Sequence, residues 1–218
     1  MKLLLFNIIC VLFGFMQSTD LAITANNLSD DTFKLVKTDK DISYYERWLK
    51  DEEENLLREV KLELLVKAEI DEVVNIIKDE SLAVRWNSSV DQCSIVDQFD
   101  SAWVTYYRYA IPWPLSNQDC VLLHEVEKQN NNAQEAVIIN FKSIEHKDFE
   151  KIQGIKRLDD ILGRWEILQT SNDKVILRYF IRTAPNSSFP KWLSDPIIRN
   201  NLITSLANFR TIAEQEVR

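Results

Sequence analysis

The order of alternating and helical segments constrains the fold of this chain more than any other feature of the sequence. From about residue 33 to residue 183, short runs alternate apolar and polar residues, a pattern typical of strands with one buried face. Only the last segment changes period, because apolar residues recur at helical spacing between Pro190 and Arg218. A long antiparallel sheet cannot stay flat, so it must curl around its longest apolar partner, the terminal helix.

This pattern predicts an α+β domain in which a curved antiparallel sheet of about nine strands wraps around a long C-terminal helix. The predicted strands are 33–38, 42–49, 59–64, 93–99, 102–109, 119–128, 136–143, 163–170 and 174–183. Two short helices are expected between the third and fourth strands, the first capped by Asp71 and the second over 81–86. No internal repeat or linker interrupts the series, so we expect a single domain.

A stiff apolar loop joins two of the predicted strands. Residues 111–119 are Ile-Pro-Trp-Pro-Leu-Ser-Asn-Gln-Asp. Pro112 and Pro114 each fix φ and remove a backbone donor, which excludes a tight two-residue turn. The loop therefore carries Trp113 and Leu115 away from the sheet. Two interpretations remain open: these side chains pack on the terminal helix as a latch, or they are exposed and insert into a membrane interface, which favours aromatic rings.

The strands on either side of this loop carry polar groups on their predicted inward face. That face comprises Trp103, Thr105, Tyr107 and Tyr109 on one strand, and Cys120, Leu122, His124 and Val126 on the other. Hydroxyl and imidazole groups need hydrogen-bond partners when they are buried. They either satisfy one another or contact water or a ligand in a cavity. His124 is accordingly either a core histidine or a polar anchor for a ligand.

The first residues have the composition of an export signal. Lys2 is followed by the run 3–16, in which Asn7 is the only clearly polar residue. An apolar run of about 14 residues fits a signal-peptide core and is short for a membrane span, although an uncleaved anchor remains the alternative. Cleavage would suit the small residues at 18, 22 and 25. We take 1–22 as a signal peptide and 23–218 as the remaining domain, and expect a periplasmic or secreted protein.

Composition excludes several classes of function. The formal net charge of −8 disfavours nucleic acid as a partner. With 3 glycines and no glycine-rich phosphate loop, the chain is not expected to bind a nucleotide. Its 2 histidines have no carboxylate at metal-ligand spacing, so we expect no metal and no other cofactor, and His146 is expected at the surface. A neutral or apolar ligand fits this composition better.

Ser116, Asp119 and His124 together suggest a nucleophile triad, but strand geometry opposes it. Five residues along a strand separate the acid and the histidine by roughly 16 Å and place them on opposite faces. We therefore predict that Asp119, with Gln118, ties the loop to neighbouring backbone.

Cys93 and Cys120 are predicted at the starts of two strands that another strand separates. Alternate strands lie roughly 9.5 Å apart, beyond the reach of about 7 Å that a disulfide allows between Cα atoms. We therefore expect two buried free thiols.

Several segments resemble the START family, the StAR-related lipid-transfer domains. The loop resembles that family's pattern Pro-aromatic-Pro-x-Ser-Asn-Arg-Asp, and Ile42–Trp48 resembles its second strand. Further resemblances lie at Trp86-Asn87, at Gly163–Glu166 and at Phe189–Leu193. These segments occur in the family's order and spacing from about residue 33 to the end.

The resemblance implies a helix-grip fold that holds one lipid-like molecule in an internal tunnel closed by the final helix and the Pro-containing loop. The ligand-binding residues expected on this basis, together with the inward face, are Trp103, Thr105, Tyr107, Tyr109, Leu122, His124, Trp165, Leu202, Leu206 and Phe209. The expected lid residues are Pro112, Trp113, Pro114, Leu115, Pro190 and Trp192.

The sequence departs from the family at two positions of this site. A charged pocket residue of several members corresponds here to His124, and its partner on the preceding strand corresponds to Thr105, so a neutral pair replaces an ion pair. Gln118 stands where the family usually has Arg before the Asp.

The expected function is that of a non-catalytic carrier or sensor for a lipid or sterol-like small molecule. We expect a monomer that makes transient contact with a membrane. The alternative is a helix-grip enzyme, similar to cyclases or hydrolases, that acts on a hydrophobic or aromatic substrate with His124 as general base. The sequence offers no second acid or base at a matching inward position, so the binding protein is favoured.

Overall fold

A computed structural model of the protein describes residues 33–50, 54, 56–113, 116–131, 134–171, 173–183 and 191–216. The predicted signal peptide 1–22 lies outside the described residues, as do the lid residues Pro114, Leu115 and Pro190. The described residues belong to one compact unit of the chain.

The described part of the chain forms one curved sheet in which nine strands follow the order β1-β2-β3-β10-β9-β7-β6-β5-β4. The strands are β1 Lys34–Asp39, β2 Ile42–Lys50, β3 Leu56–Val66, β4 Val90–Gln98, β5 Ala102–Tyr109, β6 Gln118–Asn131, β7 Gln134–Ser143, β8 Lys156–Arg157, β9 Leu162–Ser171 and β10 Lys174–Thr183. All pairs along this order are antiparallel, whereas β8 pairs in parallel with β6.

The nine predicted strands are confirmed, and the two-residue strand β8 is an addition. A strand of two residues is too short to show an alternating pattern, so β8 could not be predicted from the sequence. The expected α+β architecture, with the sheet wrapped around the terminal helix, is the observed one.

Three helices are described: α1 Ile70–Lys78, α2 Glu80–Trp86 and α3 Lys191–Glu216. The predicted cap of α1 is wrong, because Glu69 occupies the N-cap and forms a capping box with Glu72, whose Oε2 accepts from the Glu69 backbone N–H at 2.8 Å. Asp71 lies in the first turn, where a negative charge favours the helix dipole. Within the described ranges, no helix is long and apolar enough to cross a membrane.

The main core lies between the inner face of the sheet and the helices. Along β3, Val60, Leu62 and Leu64 point to this core, while Glu59 and Lys61 lie on the other face, as the alternation predicts. The second half of α3 contributes its buried apolar stripe, which consists of Ile203, Leu206, Phe209, Ile212 and Ala213. The sheet therefore grips α3 mainly through this half of the helix.

A second, smaller cluster lies on the outer face of the sheet. Val104, Tyr106 and Val121 are buried there beneath Phe149, which belongs to the connection between β7 and β8. The rings of Tyr106 and Phe149 stack with centroids 4.5 Å apart. The connection therefore folds back over β5 and β6 and covers their outward side chains.

An ion pair fixes this connection to the sheet. The Asp119 carboxylate accepts two hydrogen bonds from Arg157, from Nε at 2.7 Å and from Nη2 at 3.0 Å, and a third from the Tyr106 hydroxyl at 3.3 Å. Arg157 also donates to the backbone carbonyls of Phe149 and Glu150. The predicted tie of the Asp119 side chain to neighbouring backbone is therefore wrong, because its partners are the side chains of Arg157 and Tyr106.

The prediction for His146 is wrong. Its side chain is only 11% exposed, and its Nε2 lies 3.0 Å from the Asp97 carboxylate of β4. Its ring also contacts Phe149 at 5.6 Å between centroids. The charged neighbours in the sequence indicated a surface, whereas the folded connection places this ring against the sheet.

Cys93 and Cys120 are free thiols, as predicted. Cys93 and Cys120 lie on opposite sides of Tyr107, which is the cross-strand neighbour of each. One strand therefore separates them. The expected burial holds for Cys120, whereas Cys93 is only partly buried.

Candidate ligand-binding site

A small cavity lies between the inner face of the sheet and the helices α1 and α2. Its volume is about 30 Å³, and it is lined by Ile77, Trp86, Asn87, Tyr107, Tyr109, Leu122, His124, Phe141, Trp165 and Tyr179. This space accommodates a water molecule or two, while pockets for small organic ligands usually measure about 300–1,000 Å³. In this conformation the site is therefore nearly closed.

Half of the predicted ligand-binding residues line this cavity. They are Tyr107, Tyr109, Leu122, His124 and Trp165. Trp103, Thr105, Leu206 and Phe209 are buried elsewhere in the interior, and Leu202 on α3 is partly buried.

Three lining residues were not predicted from the sequence, namely Ile77, Phe141 and Tyr179, while Trp86 and Asn87 were named only as part of a resemblance. Phe141 and Tyr179 could have been found. Each occupies an inward position of an alternating strand. Phe141 lies opposite Gly163 and Tyr179 lies opposite Trp165, both on β9. Ile77 and Asn87 lie on α1 and in the turn after α2, whose orientation on the sheet depends on tertiary packing.

His124 is the most unusual group at this site. The residue is 3% exposed, and neither ring nitrogen has a hydrogen-bond partner among the described residues. Burial lowers the pKa of His124 to about 3, so the imidazole is neutral near pH 7. A buried polar group without a partner is destabilising by roughly 1–3 kcal/mol, which makes this ring a strong candidate for a contact with a ligand or with water.

The predicted pairing of His124 with Thr105 is not formed. The register places Trp103 opposite His124 and Leu122 opposite Thr105. The indole of Trp103 therefore stacks on the imidazole, and Thr105 Oγ1 has no hydrogen-bond partner among the described residues. Residues that share an inward face need not be neighbours, because only cross-strand register decides which side chains meet.

Aromatic rings form most of the cavity wall. Phe141 and Tyr179 stack with centroids 5.8 Å apart and planes 17° apart, and Trp165 contacts Tyr179 at 4.4 Å. Behind them, Phe209 of α3 stacks on Trp165 at 5.9 Å and meets Trp86 edge-on at 5.5 Å. These aromatic side chains therefore form a continuous set of contacts between the sheet, α2 and α3.

Gly163 makes room for one of these rings. A Cβ at this position would overlap both the carbonyl oxygen of Phe180 and the ring of Phe141, its cross-strand neighbour. The Phe141 ring therefore lies directly against the backbone of β9. Phe141 lines the cavity from this position.

The remaining polar groups of the site are uncharged. Burial raises the pKa of Tyr107, Tyr109 and Tyr179, and it raises the pKa of the Cys120 thiol to about 12. The Cys120 thiol lies 3.8 Å from the Tyr109 hydroxyl. Among the described lining residues none carries a charge near neutral pH, so the site favours a neutral ligand.

Of the expected lid residues, Pro112 and Trp113 do not line the cavity. Trp113 is 90% exposed, so its ring does not take the packed, latch-like position on α3. Pro112 is exposed as well, and the loop is closed by Asn117, whose Oδ1 accepts from the Ile111 backbone N–H at 3.1 Å. Trp192 lies in the first turn of α3.

Helix α3 is held by different forces along its length. Near its start, Asp195 contacts Arg58 at 2.9 Å, and Arg199 contacts Glu46 at 3.5 Å. Pro196 lies within the helix and cannot donate to the carbonyl one turn earlier, which weakens this part. The second half is fixed by its buried apolar stripe.

A polar seam joins the middle of α3 to the turn after α2. Ser205 Oγ accepts from the Ser88 backbone N–H at 3.0 Å, and the two hydroxyl groups lie 3.1 Å apart. Asn87, which lines the cavity, lies at the same seam, with its Oδ1 3.4 Å from Ser205 Oγ. The contact between helix and turn therefore consists of hydrogen bonds at the rim of the cavity.

Ser116, Asp119 and His124 do not form a nucleophile triad. Asp119 points to the outer face and is bound to Arg157, while His124 points to the cavity. Within the described ranges, no group of three or more His, Cys, Asp or Glu side chains is placed to hold a metal ion.

A curved antiparallel sheet that grips a long C-terminal helix over an internal, uncharged cavity defines the helix-grip class of proteins. Within that class, a sequence model of the START domain matches residues 27–216. The chain belongs to the START domain family.

Similar proteins agree with this assignment. A STAR-related lipid transfer protein from Xanthomonas axonopodis is 25% identical, with a TM-score of 0.70 over 84% of this chain and 99% of that one. Human StAR-related lipid transfer protein 5 is 18% identical, with a TM-score of 0.69 over 87% of this chain and 89% of that one. An uncharacterised protein from Pseudomonas aeruginosa is 21% identical over 207 residues, which cover 93% of this chain and 98% of that protein.

A structural similarity also extends to an enzyme. The Zhui aromatase/cyclase from a Streptomyces species is 12% identical, with a TM-score of 0.55 over 74% of this chain and 96% of that one. At this level of identity the similarity concerns the fold alone.

Proposed function

We propose that this protein is a monomeric, non-catalytic carrier or sensor that binds one lipid or other hydrophobic small molecule in the cavity between the sheet and the helices. The observation that carries the proposal is His124, a buried neutral imidazole without a partner among the described residues, in an otherwise aromatic and uncharged cavity. A ligand that brings a hydroxyl or carbonyl group to this ring would satisfy it and bury its own apolar surface.

Burial of the ligand supplies the affinity in this proposal. Removing apolar surface from water contributes roughly 25 cal/mol per Å², so a ligand that buries about 300 Å² gains on the order of 7 kcal/mol before the entropic cost of binding. The lipid-transfer description of the Xanthomonas relative supports a cargo of this kind.

Ligand uptake requires the site to open, since about 30 Å³ is too small for such a molecule. We propose that the first half of α3 and the loop 110–117 act as the lid. The ion pairs of Asp195 and Arg199 hold that half of the helix, and Pro196 provides a weak point in its hydrogen bonding. The buried second half of α3 stays on the sheet when the lid opens.

An enzyme with His124 as general base is the competing hypothesis. A base works best when its pKa lies near the operating pH, whereas burial holds the pKa of His124 at about 3. The described lining residues offer no carboxylate that would raise this value. These properties favour the binding protein.

Native mass spectrometry followed by denaturing mass spectrometry of the purified full chain tests the proposal. We expect one apolar molecule per chain. His124→Phe should lower the retained fraction by about tenfold, because a buried hydrogen bond contributes roughly 1–2 kcal/mol. His146→Gln, which changes a histidine outside the cavity, serves as the control. A protein that carries no apolar molecule and takes up none would contradict the proposal, and conversion of an added substrate would establish the enzyme.

We propose in addition that the exposed Trp113 contacts a membrane during ligand exchange. A ring that is 90% exposed leaves its whole surface free to enter the lipid interface. Because the net charge is −8, neutral vesicles of phosphatidylcholine should bind better than anionic ones. Trp113→Ala should reduce vesicle binding severalfold, whereas Trp48→Ala, the control at a partly exposed Trp on β2, should not. Equal effects of both substitutions would rule the contact out.

We propose that the protein is exported, with the leader 1–22 removed. The apolar run 3–16 after Lys2 supports this proposal. N-terminal sequencing of the protein from cell fractions tests it, and an intact N-terminus in the cytoplasmic fraction would show that export does not occur.

A further inference from the structure

The wall of the cavity is unusually rich in rings. Of the ten described residues that line it, seven carry an aromatic ring, and these are Trp86, Tyr107, Tyr109, His124, Phe141, Trp165 and Tyr179. Leu122 and Ile77 are the aliphatic ones. A flexible acyl chain is bound by any apolar wall. A ligand with rings gains, in addition to the burial of its surface, the attraction of stacked aromatic contacts.

The rings are arranged as partly parallel faces. Planes within 30° of each other occur between Phe141 and Tyr179, between Tyr107 and Tyr109, and between Trp165 and Phe209. These pairs do not face each other across the cavity, because Phe141 and Tyr179 lie on the same face of the sheet and Tyr107 and Tyr109 lie on one strand. A flat molecule that enters the cavity gains ring contacts along this wall in addition to the burial of its surface.

The polar groups of the described lining residues are all neutral, and some of them have no partner. His124 presents two ring nitrogens and Trp86 presents Nε1, and none of these three atoms has a partner among the described residues. A neutral imidazole offers one donor and one acceptor, and an indole offers one donor. A single hydroxyl group on the ligand can donate to the acceptor nitrogen of the imidazole, or it can accept from the imidazole N–H or from the indole N–H.

From these features we infer that the ligand is a flat, uncharged ring system with a single hydroxyl or carbonyl group directed at His124, and that a saturated acyl chain is a poor ligand. The inference rests on the proposed binding function and specifies the chemical class of the ligand. Phe141 and Tyr179 are the specificity-determining rings, because they stack on each other and both line the cavity.

A matched pair of probes tests this inference on the full chain after its apolar contents have been extracted. 1-Hydroxypyrene is a planar ring system, whereas 1-hexadecanol is a saturated chain. Both molecules are uncharged and carry a single hydroxyl group. Native mass spectrometry reports the binding of both, and quenching of tryptophan fluorescence reports the binding of 1-hydroxypyrene. We expect 1-hydroxypyrene to bind at least tenfold more tightly than 1-hexadecanol, and pyrene, which lacks the hydroxyl, to bind severalfold more weakly than 1-hydroxypyrene.

Two substitutions separate stacking from simple burial. Phe141→Leu and Tyr179→Leu each remove a ring face and keep the wall apolar. Each should therefore weaken the binding of 1-hydroxypyrene about three- to tenfold and leave the binding of 1-hexadecanol unchanged. Phe99→Leu, at a residue that is 59% exposed, is the control. Circular dichroism identifies any variant that fails to fold, and the comparison of the two probes on the unsubstituted chain does not depend on the variants.

The outcomes distinguish this inference from the proposed function. Tighter binding of 1-hydroxypyrene that depends on Phe141 and Tyr179 supports the inference. Equal or tighter binding of 1-hexadecanol overturns it and leaves the carrier function intact. If neither probe binds and the purified chain holds no apolar molecule, both the inference and the carrier function are overturned.

Discussion

The indole of Trp103 lies parallel to the imidazole of His124, with ring centroids 4.7 Å apart and planes 5° apart. The amino group of Lys78 lies 5.6 Å from the centroid of the Trp103 ring. The stack holds the imidazole in a fixed orientation on the cavity wall without satisfying either nitrogen. His124 is thereby positioned for a partner that the described protein residues do not supply.

The neutrality of His124 predicts a loss of stability in acid. The ordinary pKa of about 6.5 applies to the unfolded chain, whereas burial lowers the pKa to about 3 in the folded protein. Between these values the unfolded state binds a proton that the folded state does not, so the free energy of unfolding falls as the pH drops from about 6.5 towards 3. The slope from this residue alone is about 1.4 kcal/mol per pH unit.

Urea unfolding of the unsubstituted chain and of His124→Phe at pH 7 and pH 5 checks this prediction. Between pH 7 and pH 5 the free energy of unfolding of the variant should fall by about 2 kcal/mol less than that of the unsubstituted chain, because the variant lacks the titrating group. Identical losses in the two proteins would show that the imidazole is already protonated or already paired in the folded state.

Gly163→Ala is expected to destabilise the protein by roughly 2–4 kcal/mol, because the new methyl group overlaps a backbone carbonyl oxygen that cannot move aside, as well as the Phe141 ring. Gly154→Ala is the matched control. Gly154 has a φ of +83° but no atom within 4 Å of the added Cβ, so its effect comes from backbone strain of about 1 kcal/mol. Thermal unfolding measures both. A smaller effect at Gly163 than at Gly154 would contradict the close approach of Phe141.

Breaking the ion pair on the outer face should be strongly destabilising. The side chains of Asp119 and Arg157 are 1% and 8% exposed, so Arg157→Met leaves a buried carboxylate and should reduce the free energy of unfolding by about 3–5 kcal/mol. Replacing both partners, Asp119→Asn with Arg157→Met, should restore part of the loss. Equilibrium urea unfolding of the single and double variants gives the coupling energy, and purely additive effects would refute a direct pair.

The exposed pair of Lys151 and Asp159 is the control for this experiment. Their side chains are 66% and 63% exposed, so Lys151→Met should change stability by less than about 0.5 kcal/mol.

The first half of α3 should be the least protected part of the helix. Arg58→Gln removes the partner of Asp195, and we expect hydrogen exchange of the backbone amides in 191–199 to accelerate about tenfold while 203–213 is unchanged. Added salt should have a similar effect on the unsubstituted chain, because it screens the pairs of Asp195 and Arg199. Uniform acceleration along α3 would indicate that the helix opens as one unit.

Much of this site could be predicted from the sequence because alternation along one strand is a local property. Tyr107 and Leu122 were placed on the inward face by a period of two residues, and both line the cavity. The prediction that His124 pairs with Thr105 was wrong. Which side chains meet depends on the cross-strand register, and the pattern of a single strand does not specify that register. The prediction that His146 lies at the surface was wrong. Its charged neighbours in the sequence indicate a surface, but the connection that carries His146 folds back over the sheet.

The sequence by itself determined the succession of strands, the long terminal helix and the loop 111–119, because these follow from short-range periodicity and from the restricted backbone of proline. Only the tertiary structure decided that Trp103 faces His124, that the cavity is nearly closed, and that Arg157, 38 positions away in the chain, is the partner of Asp119. Each of these depends on the register and burial of distant segments, which long-range packing sets and local pattern does not record.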